Sequence, residues 1–234
     1  MTEERLIVPP GKKTGCLPRA SSPGQWCPMA ADHIEVIPIA EWPELIGKVN
    51  SAQFVQHIKD QDGVGSCATE STSQDVEIVE VISGKDWEQL NPWFIYYTTS
   101  GGSDRGSNID SNLVFVRDNG IAPESVWPRS KGWRTKPSDE AYEAAKAHKI
   151  LEFYDVTTTQ EFGSCLLLGW PVVFGWSGHS VVAVDLVSPT RFRYCGSWGP
   201  DAHDGDGFGH LNLSSVNWGY GAFAVRVVTH ELNS

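Results

Sequence analysis

The sequence predicts an α+β fold in which a helical half precedes a strand-rich half. Apolar residues recur at helical spacing after Cys67, whereas the apolar runs after residue 150 are short and rich in β-branched residues. The chain has 234 residues, of which 40% are hydrophobic and 20% are charged. This length suffices for one large domain or for two lobes that share a cleft.

The first 33 residues are predicted to form an irregular N-terminal arm. This segment is rich in Pro, Gly and Ser, shows little periodicity, and carries Cys16 and Cys27 without a CxxC zinc pair. We expect it to wrap around the domain or a partner, and the remainder, 34–234, to form the domain. The run that begins at His33 predicts an N-terminal strand over 34–40.

The helical half is predicted over about 60–135. A long helix begins at Cys67 and ends near Gly84, a residue type that commonly follows helix C-termini. A short aromatic helix has Pro92 near its start, where the missing backbone N–H is tolerated. A glycine-rich loop then leads to a helix over roughly 108–119.

The β-rich half is predicted over about 136–234. It begins with a helix capped by Ser138, and the first turn of this helix is acidic. A further helix is expected near 159–168. Runs of β-branched and aromatic residues predict strands at Ile150–Val156, Val172–Trp176, Ser180–Val187, Phe192–Tyr194 and Ala222–Thr229.

One cysteine stands where a helix is expected to begin. Cys67 follows a glycine-rich turn, so its side chain is expected near the unpaired N–H groups and the positive dipole end of the helix. Those groups stabilise the thiolate, which is the nucleophilic form of cysteine. Glu70 in the first turn opposes that ionisation. The alternative interpretation is a small buried cysteine that packs as a hydrophobe.

Gln61, Gly65, Ser66 and Cys67 together resemble the nucleophile motif of the papain-like cysteine peptidases, C1 type. The resemblance implies that Cys67 attacks a peptide carbonyl, and that the Gln61 side chain and the Cys67 backbone N–H stabilise the oxyanion. It also implies a two-lobe fold, with a helical left lobe, an antiparallel β-sheet or barrel as right lobe, and the site in the cleft between them. Val64 stands where the family usually has a disulfide-forming cysteine.

His179 is the candidate acid/base. It begins an apolar run that resembles the family's histidine strand, and it follows Cys67 in the family's order. A cysteine nucleophile needs an imidazole that forms the thiolate–imidazolium pair and then protonates the leaving amine. The segment between Pro171 and His179 is shorter than in the family, so we expect a more open groove.

Gly196 occupies the position of the family's orienting asparagine. Gly196-Ser197-Trp198 resembles the family's Asn-Ser-Trp, in which the asparagine accepts a hydrogen bond from the histidine ring and the tryptophan shields it. Glycine has no side-chain acceptor, so a water, a backbone carbonyl or nothing orients His179. Losing one hydrogen bond worth about 1 kcal/mol slows a reaction roughly five- to tenfold.

The resemblance places Gly101 and Gly102 in a loop that lines the substrate cleft, with Gly178 beside the histidine. Glycine in such a loop lets a peptide backbone approach closely. No cofactor or metal is expected, because the acidic run that begins at Asp201 departs from the calcium-loop spacing and is interpreted as a turn. The arm is too short for a typical propeptide of the family.

Composition argues against two classes of partner. The net charge of -11 disfavours nucleic acid and anionic membranes. The N-terminus lacks the basic segment followed by an apolar segment that is typical of a signal peptide. The five cysteines are not closely spaced as they are in secreted, disulfide-rich domains. We therefore expect a cytoplasmic or virion-associated protein rather than a secreted one. A protein or peptide substrate is the expected partner, and the arm is a candidate contact for assembly partners.

Three functional hypotheses remain open. The first is a minimal peptidase of the kind found in bacteria and their viruses, with a Cys67–His179 dyad, Gln61 as oxyanion donor and a covalent acyl-enzyme. The alternative is a non-catalytic structural or assembly protein, for example a component of a virus particle, that retains the fold. Gly196 favours it, as does Ala68 in place of the family's aromatic residue. The third is acyl transfer or amide hydrolysis on a non-peptide substrate.

Overall fold

The computed structural model describes residues 4–228, and within them the chain is an α+β protein. Helices dominate before residue 150 and strands dominate after it, which is the predicted order. The α-helices are α1 (Trp42–Leu45), α2 (Cys67–Ile82), α3 (Pro92–Thr99), α4 (Ile109–Asn119), α5 (Asp139–Ala145) and α6 (Thr159–Leu167). Across residues 4–228, no helix is both long enough and apolar enough to cross a membrane.

Two short strands join the N-terminal arm to the helical half. They are β1 (Cys16–Leu17) and β2 (Ser107–Asn108), and they pair in parallel. The other described strands form one antiparallel sheet in the spatial order β3-β8-β4-β5-β6-β7. They are β3 (Ile150–Asp155), β4 (Val172–Trp176), β5 (His179–Ser188), β6 (Arg191–Cys195), β7 (Phe208–Asn212) and β8 (Ala222–Val228).

Helix α2 is buried along almost its whole length. It packs between the other helices and the sheet, and shares a hydrophobic cluster with Leu113 of α4, Phe153 of β3 and Val182 of β5. A helix enclosed on all sides has no solvent-facing stripe, so its polar side chains need partners inside the protein. Glu77 accepts hydrogen bonds of 2.7 Å from the Lys59 ammonium and from the Leu90 backbone N–H.

A two-residue hairpin sets where β5 begins. Trp176, the last residue of β4, pairs with His179, the first residue of β5. Ser177 and Gly178 between them have φ angles of 49° and 80°. Positive φ at both central positions is the geometry of the tight turn that matches the twist of paired strands. The connection is short, as the sequence between Pro171 and His179 predicts, and it fixes the position of His179.

The predicted strand over 34–40 is wrong. This segment is irregular and continues into the short helix α1. Its backbone bonds to side chains instead of to a neighbouring strand: the Ile37 N–H donates to the Ser164 hydroxyl, and the Ile37 carbonyl accepts from the Trp42 indole and the Gln160 amide. Those bonds satisfy the backbone groups that a strand partner would otherwise take.

The other predicted elements agree with the structure to within a few residues at their ends. The strands β1, β2 and β7 and the short helix α1 were not predicted. Thr229, the predicted end of the last strand, lies outside the described residues, as do residues 1–3 of the arm. The boundary between lobes near residue 136 stays a prediction. Ala141 and Ala145 of α5 pack with Phe94 and Trp127, which come from the helical half.

We predict that the buried Lys59–Glu77 pair is a major contributor to stability. The Lys59→Ala variant leaves the Glu77 carboxylate buried without its cation, which costs about 3–5 kcal/mol. Urea denaturation at pH 7 measures the change in the free energy of unfolding. The matched control is Lys146→Ala, which removes the exposed pair with Glu143 and should change stability by less than about 1 kcal/mol. Equal effects of the two variants would contradict this assignment.

Candidate active site

Cys67 is the first residue of α2, and its side chain is fully buried. Burial raises the pKa of the thiol to about 12, even though backbone N–H groups of Ser180, Gly15 and Ala68 donate to the sulfur and lower the pKa. The thiol is therefore protonated at neutral pH in this conformation. The helix N-terminus supplies only the Ala68 donor, β5 and the arm supply the other two, and burial has a larger effect than any of them.

Glu70, predicted to oppose ionisation of Cys67, pairs with Arg129, which comes 59 residues later in the chain. Arg129 donates two hydrogen bonds of 3.0 and 3.1 Å to the Glu70 carboxylate, and the Ser66 hydroxyl donates a third of 2.9 Å. The Arg129 guanidinium also lies over the Trp93 ring at 4.3 Å. Glu70 still raises the pKa of Cys67, after burial, but its paired charge anchors the first turn of α2.

His179 is also fully buried, at the start of β5. Its ring stacks on the Trp198 indole, with the ring centroids 4.2 Å apart and the planes 20° apart. This is the shielding contact that the resemblance implies. Burial lowers the pKa of His179 to about 3, and the nearby His203 contributes to the shift. Neither ring nitrogen has a hydrogen-bond partner within residues 4–228.

The start of β5 lies against the first turns of α2. The Ser180 backbone N–H, next to His179, donates to the Cys67 sulfur. The Ser180 hydroxyl also lies 2.6 Å from the Ser71 hydroxyl, one helical turn after the cysteine. The helix terminus that carries the thiol and the strand terminus that carries the imidazole therefore meet at this point.

Gln61 lies beside the same helix terminus. Its side-chain N–H₂ donates to the backbone carbonyls of Lys13 and Val64, at 3.1 and 2.6 Å. Its amide oxygen accepts from the Ser197 hydroxyl at 2.9 Å, which fixes the orientation of the amide. The Trp198 indole N–H donates to the same Lys13 carbonyl at 3.2 Å. Gln61 thus already binds a peptide carbonyl, and that carbonyl belongs to the arm.

The N-terminal arm crosses the site between the two halves of the chain. The N–H groups of Gly15 and Cys16 donate to the Gly178 carbonyl, and the Gly15 carbonyl accepts from the Ser107 N–H. A Cβ on Gly15 would overlap the Gly65 carbonyl and would lie 2.8 Å from the Gly65 Cα. Glycine at both positions therefore allows two backbones to pack directly on each other beside Cys67.

Ion pairs hold this part of the arm in place. Lys12 pairs with Asp60, and Lys13 pairs with Asp104 at 2.7 Å. Asp104 also accepts a 2.7 Å hydrogen bond from the Gly65 N–H, so it connects the arm to the turn that precedes Cys67. The sequence predicts an arm that wraps around the domain or a partner. In the structure the arm bonds to the Cys67 sulfur, to the Gln61 amide and to Gly178, the residue before His179.

The glycine-rich loop contacts the arm through its end. Gly101 and Gly102, the predicted cleft residues, are exposed, whereas Gly106 packs on the Gly15 carbonyl and Ser107 binds it. Gly178, predicted to line the cleft beside His179, lies next to the arm, since its carbonyl accepts two arm N–H groups. The parallel pairing of Ser107 with Cys16 could not be read from the sequence, because it involves only backbone atoms.

This architecture is found among solved cysteine proteases. The chain is similar to xylellain from Xylella fastidiosa, with 20% identity over 96% of this chain and 100% of that one, and a TM-score of 0.66. It is also similar to the ragweed pollen allergen Amb a 11 in its proform, with 18% identity over 89% and 72% of the two chains and a TM-score of 0.66. Procathepsin L 3 of Tenebrio molitor larval midgut is 16% identical over 76% and 69%, with a TM-score of 0.62. The chain has the papain-like fold. The predicted fold class is thereby confirmed.

A sequence relative points to the same family. An uncharacterized peptidase C1-like protein of Acanthamoeba polyphaga mimivirus is 26% identical over 133 residues, which is 50% of this chain. The match spans less than half of that relative, 43% of its length. No protein-family model matches the chain. The C1-type resemblance stated from the motifs is confirmed, and the papain-like relatives are cysteine proteases.

We predict that the buried histidine makes stability depend on pH. The unfolded chain binds a proton at His179 near its ordinary pKa of 6.5, whereas burial lowers the folded pKa to about 3. The unfolded state therefore gains protons first, and the free energy of unfolding falls as the pH drops from 6.5 towards 3. Urea denaturation at pH 7 and pH 5 should show a smaller loss in His179→Gln than in the unaltered chain. Identical losses would contradict the burial of a neutral imidazole.

Proposed function

We propose that this protein is a papain-like cysteine peptidase that hydrolyses peptide bonds through a Cys67–His179 dyad. The observation that carries the proposal is the contact between the N-terminus of α2 and the start of β5. The Ser180 N–H binds the Cys67 sulfur, and His179 directly precedes Ser180. A nucleophile at a helix N-terminus beside an imidazole on another element is the arrangement that covalent cysteine catalysis needs.

We assign a residue to each step of the proposed reaction. The Cys67 thiolate attacks the substrate carbonyl, and the carbon–sulfur bond forms as the carbonyl oxygen becomes an oxyanion. Gln61, which donates to the Lys13 carbonyl in the closed site, donates to that oxyanion. His179 then gives its proton to the leaving amine, which leaves an acyl-enzyme that water hydrolyses with His179 as base. The Trp198 ring covers the imidazole during both steps.

The closed site explains why the two groups are neutral here. Burial acts in opposite directions on them, because it disfavours any charged form: it raises the pKa of the thiol and lowers the pKa of the imidazole. Displacing the arm admits water and a peptide to the same groove. The thiolate–imidazolium pair then becomes the favoured state, so we propose that the arm must move before substrate binds.

We predict selective labelling of Cys67. An epoxysuccinyl thiol inhibitor at neutral pH should modify this cysteine before the other four, because its sulfur accepts backbone N–H groups at a helix N-terminus beside the strand end that carries His179. Mass spectrometry of the digested protein identifies the labelled residue. Cys67→Ser should abolish labelling and peptide cleavage, whereas Cys165→Ser, which alters a buried cysteine of α6, should change neither. Equal labelling of all cysteines would rule out the peptidase proposal.

We also predict that loosening the arm activates the thiol. Gly15→Val places side-chain atoms where the Gly65 carbonyl lies, so the arm cannot keep its position. The thiolate fraction at pH 7 rises about tenfold for each unit by which the thiol pKa falls, so iodoacetamide should alkylate Cys67 at least about tenfold faster. The control is Gly11→Asn, where an added Cβ meets nothing within 4 Å and asparagine tolerates the φ of 77°. An unchanged rate in Gly15→Val would contradict the proposed role of the arm.

The second candidate is a non-catalytic assembly protein with this fold. It is favoured by the covered, neutral site and by Gly196, which offers no side-chain acceptor to His179. It differs in one outcome: Cys67→Ala would then leave every activity of the protein unchanged. Peptide cleavage that is lost in Cys67→Ala excludes this candidate as the sole function.

A further inference from the structure

His203 occupies the space that a side chain at position 196 would fill. A Cβ on Gly196 would overlap the Nε2 atom of His203 and would lie 2.8 and 3.0 Å from its Cδ2 and Cε1 atoms. Gly196 does not belong to the described glycines with positive φ, so its backbone conformation does not demand glycine. Glycine is needed at this position because an imidazole from seven residues later takes the volume.

The His203 ring is held by contacts on several sides. Its Nδ1 lies 3.0 Å from the Tyr194 hydroxyl. Its plane lies 15° from that of the Trp198 indole, with ring centroids 5.4 Å apart, so one indole stacks on both His203 and His179. The backbone of His203 has a φ of 59°, a conformation that costs a non-glycine residue about 1 kcal/mol or more and that recurs at functional sites.

The other ring nitrogen of His203, Nε2, lies against Gly196, where an added Cβ would come within 2.0 Å of it. His203 Nε2 is buried and has no hydrogen-bond partner within residues 4–228, and the same is true of both ring nitrogens of His179. A buried polar atom without a partner costs about 1–3 kcal/mol, so two such imidazoles beside one indole call for a functional explanation. His203 is also close enough to influence the charge on His179.

The geometry points to His203 as the residue that positions His179, in place of the side chain missing at Gly196. Nδ1–H of His203 donates to the Tyr194 oxygen, which leaves the lone pair on Nε2. Because the two rings form no direct hydrogen bond in this structure, that lone pair accepts the ring N–H of His179 across one water molecule. The bridge holds His179 in one tautomer with its other nitrogen available to Cys67. The assignment rests on the proposed function, since it gives the dyad a third member.

The surroundings keep His203 in the form that accepts a hydrogen bond. Burial lowers the pKa of His203 below its ordinary value, and Asp204 and Asp206 oppose the shift only in part. His203 is thus neutral at pH 7. Tyr194 contacts the ring edge-on, with ring centroids 5.1 Å apart, and its phenol stays protonated because burial raises its pKa. The charged groups near His203 are therefore the two aspartates.

The first test observes the rings directly in the full-length chain. Nitrogen NMR of ring-labelled histidines at pH 7 should show His179 in a single tautomer, and His203→Ala should give a mixture of both. His210→Ala is the matched control, because His210 lies nearby in the chain, pairs with Asp204 and has no contact with the dyad. An unchanged His179 spectrum in His203→Ala overturns the assignment, and this readout does not depend on catalysis.

The second test moves the hydrogen-bond acceptor from position 203 to position 196. Gly196→Asn alone should lower Cys67 reactivity because its side chain collides with the His203 ring. His203→Gly alone should slow alkylation of Cys67 by iodoacetamide roughly five- to tenfold and shift its pH profile, since one orienting hydrogen bond is lost. The double variant Gly196→Asn/His203→Gly should recover the rate to within about twofold and restore the single tautomer of His179.

The outcomes separate this assignment from the proposed function. A double variant that is no faster than His203→Gly, with His179 still in mixed tautomers, overturns the positioning role. A tautomer of His179 that depends on His203, in a protein whose Cys67 shows no selective reactivity, supports the positioning role and overturns the peptidase proposal. A merely structural role for His203 would lower stability without moving the tautomer of His179 or the pH profile.

Discussion

The contact between the N-terminus of α2 and the start of β5 is the constraint on which the site depends. The chain places Cys67 by starting a helix there, and it places His179 by a two-residue turn between β4 and β5. Ser180 joins the two termini, because its N–H binds the sulfur while its hydroxyl meets Ser71. Neither half alone can form the site, so the proposed Cys67–His179 pair requires that both halves have folded.

Burial is the second constraint, and it acts on the whole site at once. The arm supplies backbone rather than large side chains, since glycine at 15 and 106 lets main chains approach each other closely. The lysines at 12 and 13 add ion pairs with acids on the walls of the groove. In the proposed mechanism this segment keeps the thiol and the imidazole neutral by burying them, and its Lys13 carbonyl takes the place of a substrate carbonyl at Gln61. Its movement would change all three together.

The order of elements and the main site residues could be predicted because they depend on local signals. A glycine turn followed by helical spacing indicated the helix at Cys67, and alternating β-branched runs indicated the sheet. Gln61, Cys67, His179 and Trp198 were found through motif resemblance, and the structure brings their surroundings together. Their catalytic roles stay a prediction.

The features that the sequence did not reveal depend on contacts between distant residues. Arg129 pairs with Glu70 across 59 positions, and no local pattern marks it. The path of the arm depends on hydrogen bonds between backbone atoms, and the pattern of side chains in the sequence does not predict such bonds. The role inferred for His203 depends on its position beside Gly196. The one signal in the sequence was that position 196 has no side chain where the family has asparagine. The strand expected over 34–40 failed because side chains from α1 and α6 satisfy that backbone instead.

The most direct test of the thiol–imidazole pair is the ionisation of Cys67 with the groove open. Thiolate absorbance measured against pH in the Gly15→Val protein gives the pKa of Cys67, with and without a second change, His179→Ala. The account predicts a pKa below the ordinary value of about 8.5 when His179 is present, and a higher pKa when it is removed. The same titration curve in both proteins would contradict a pair formed by Cys67 and His179.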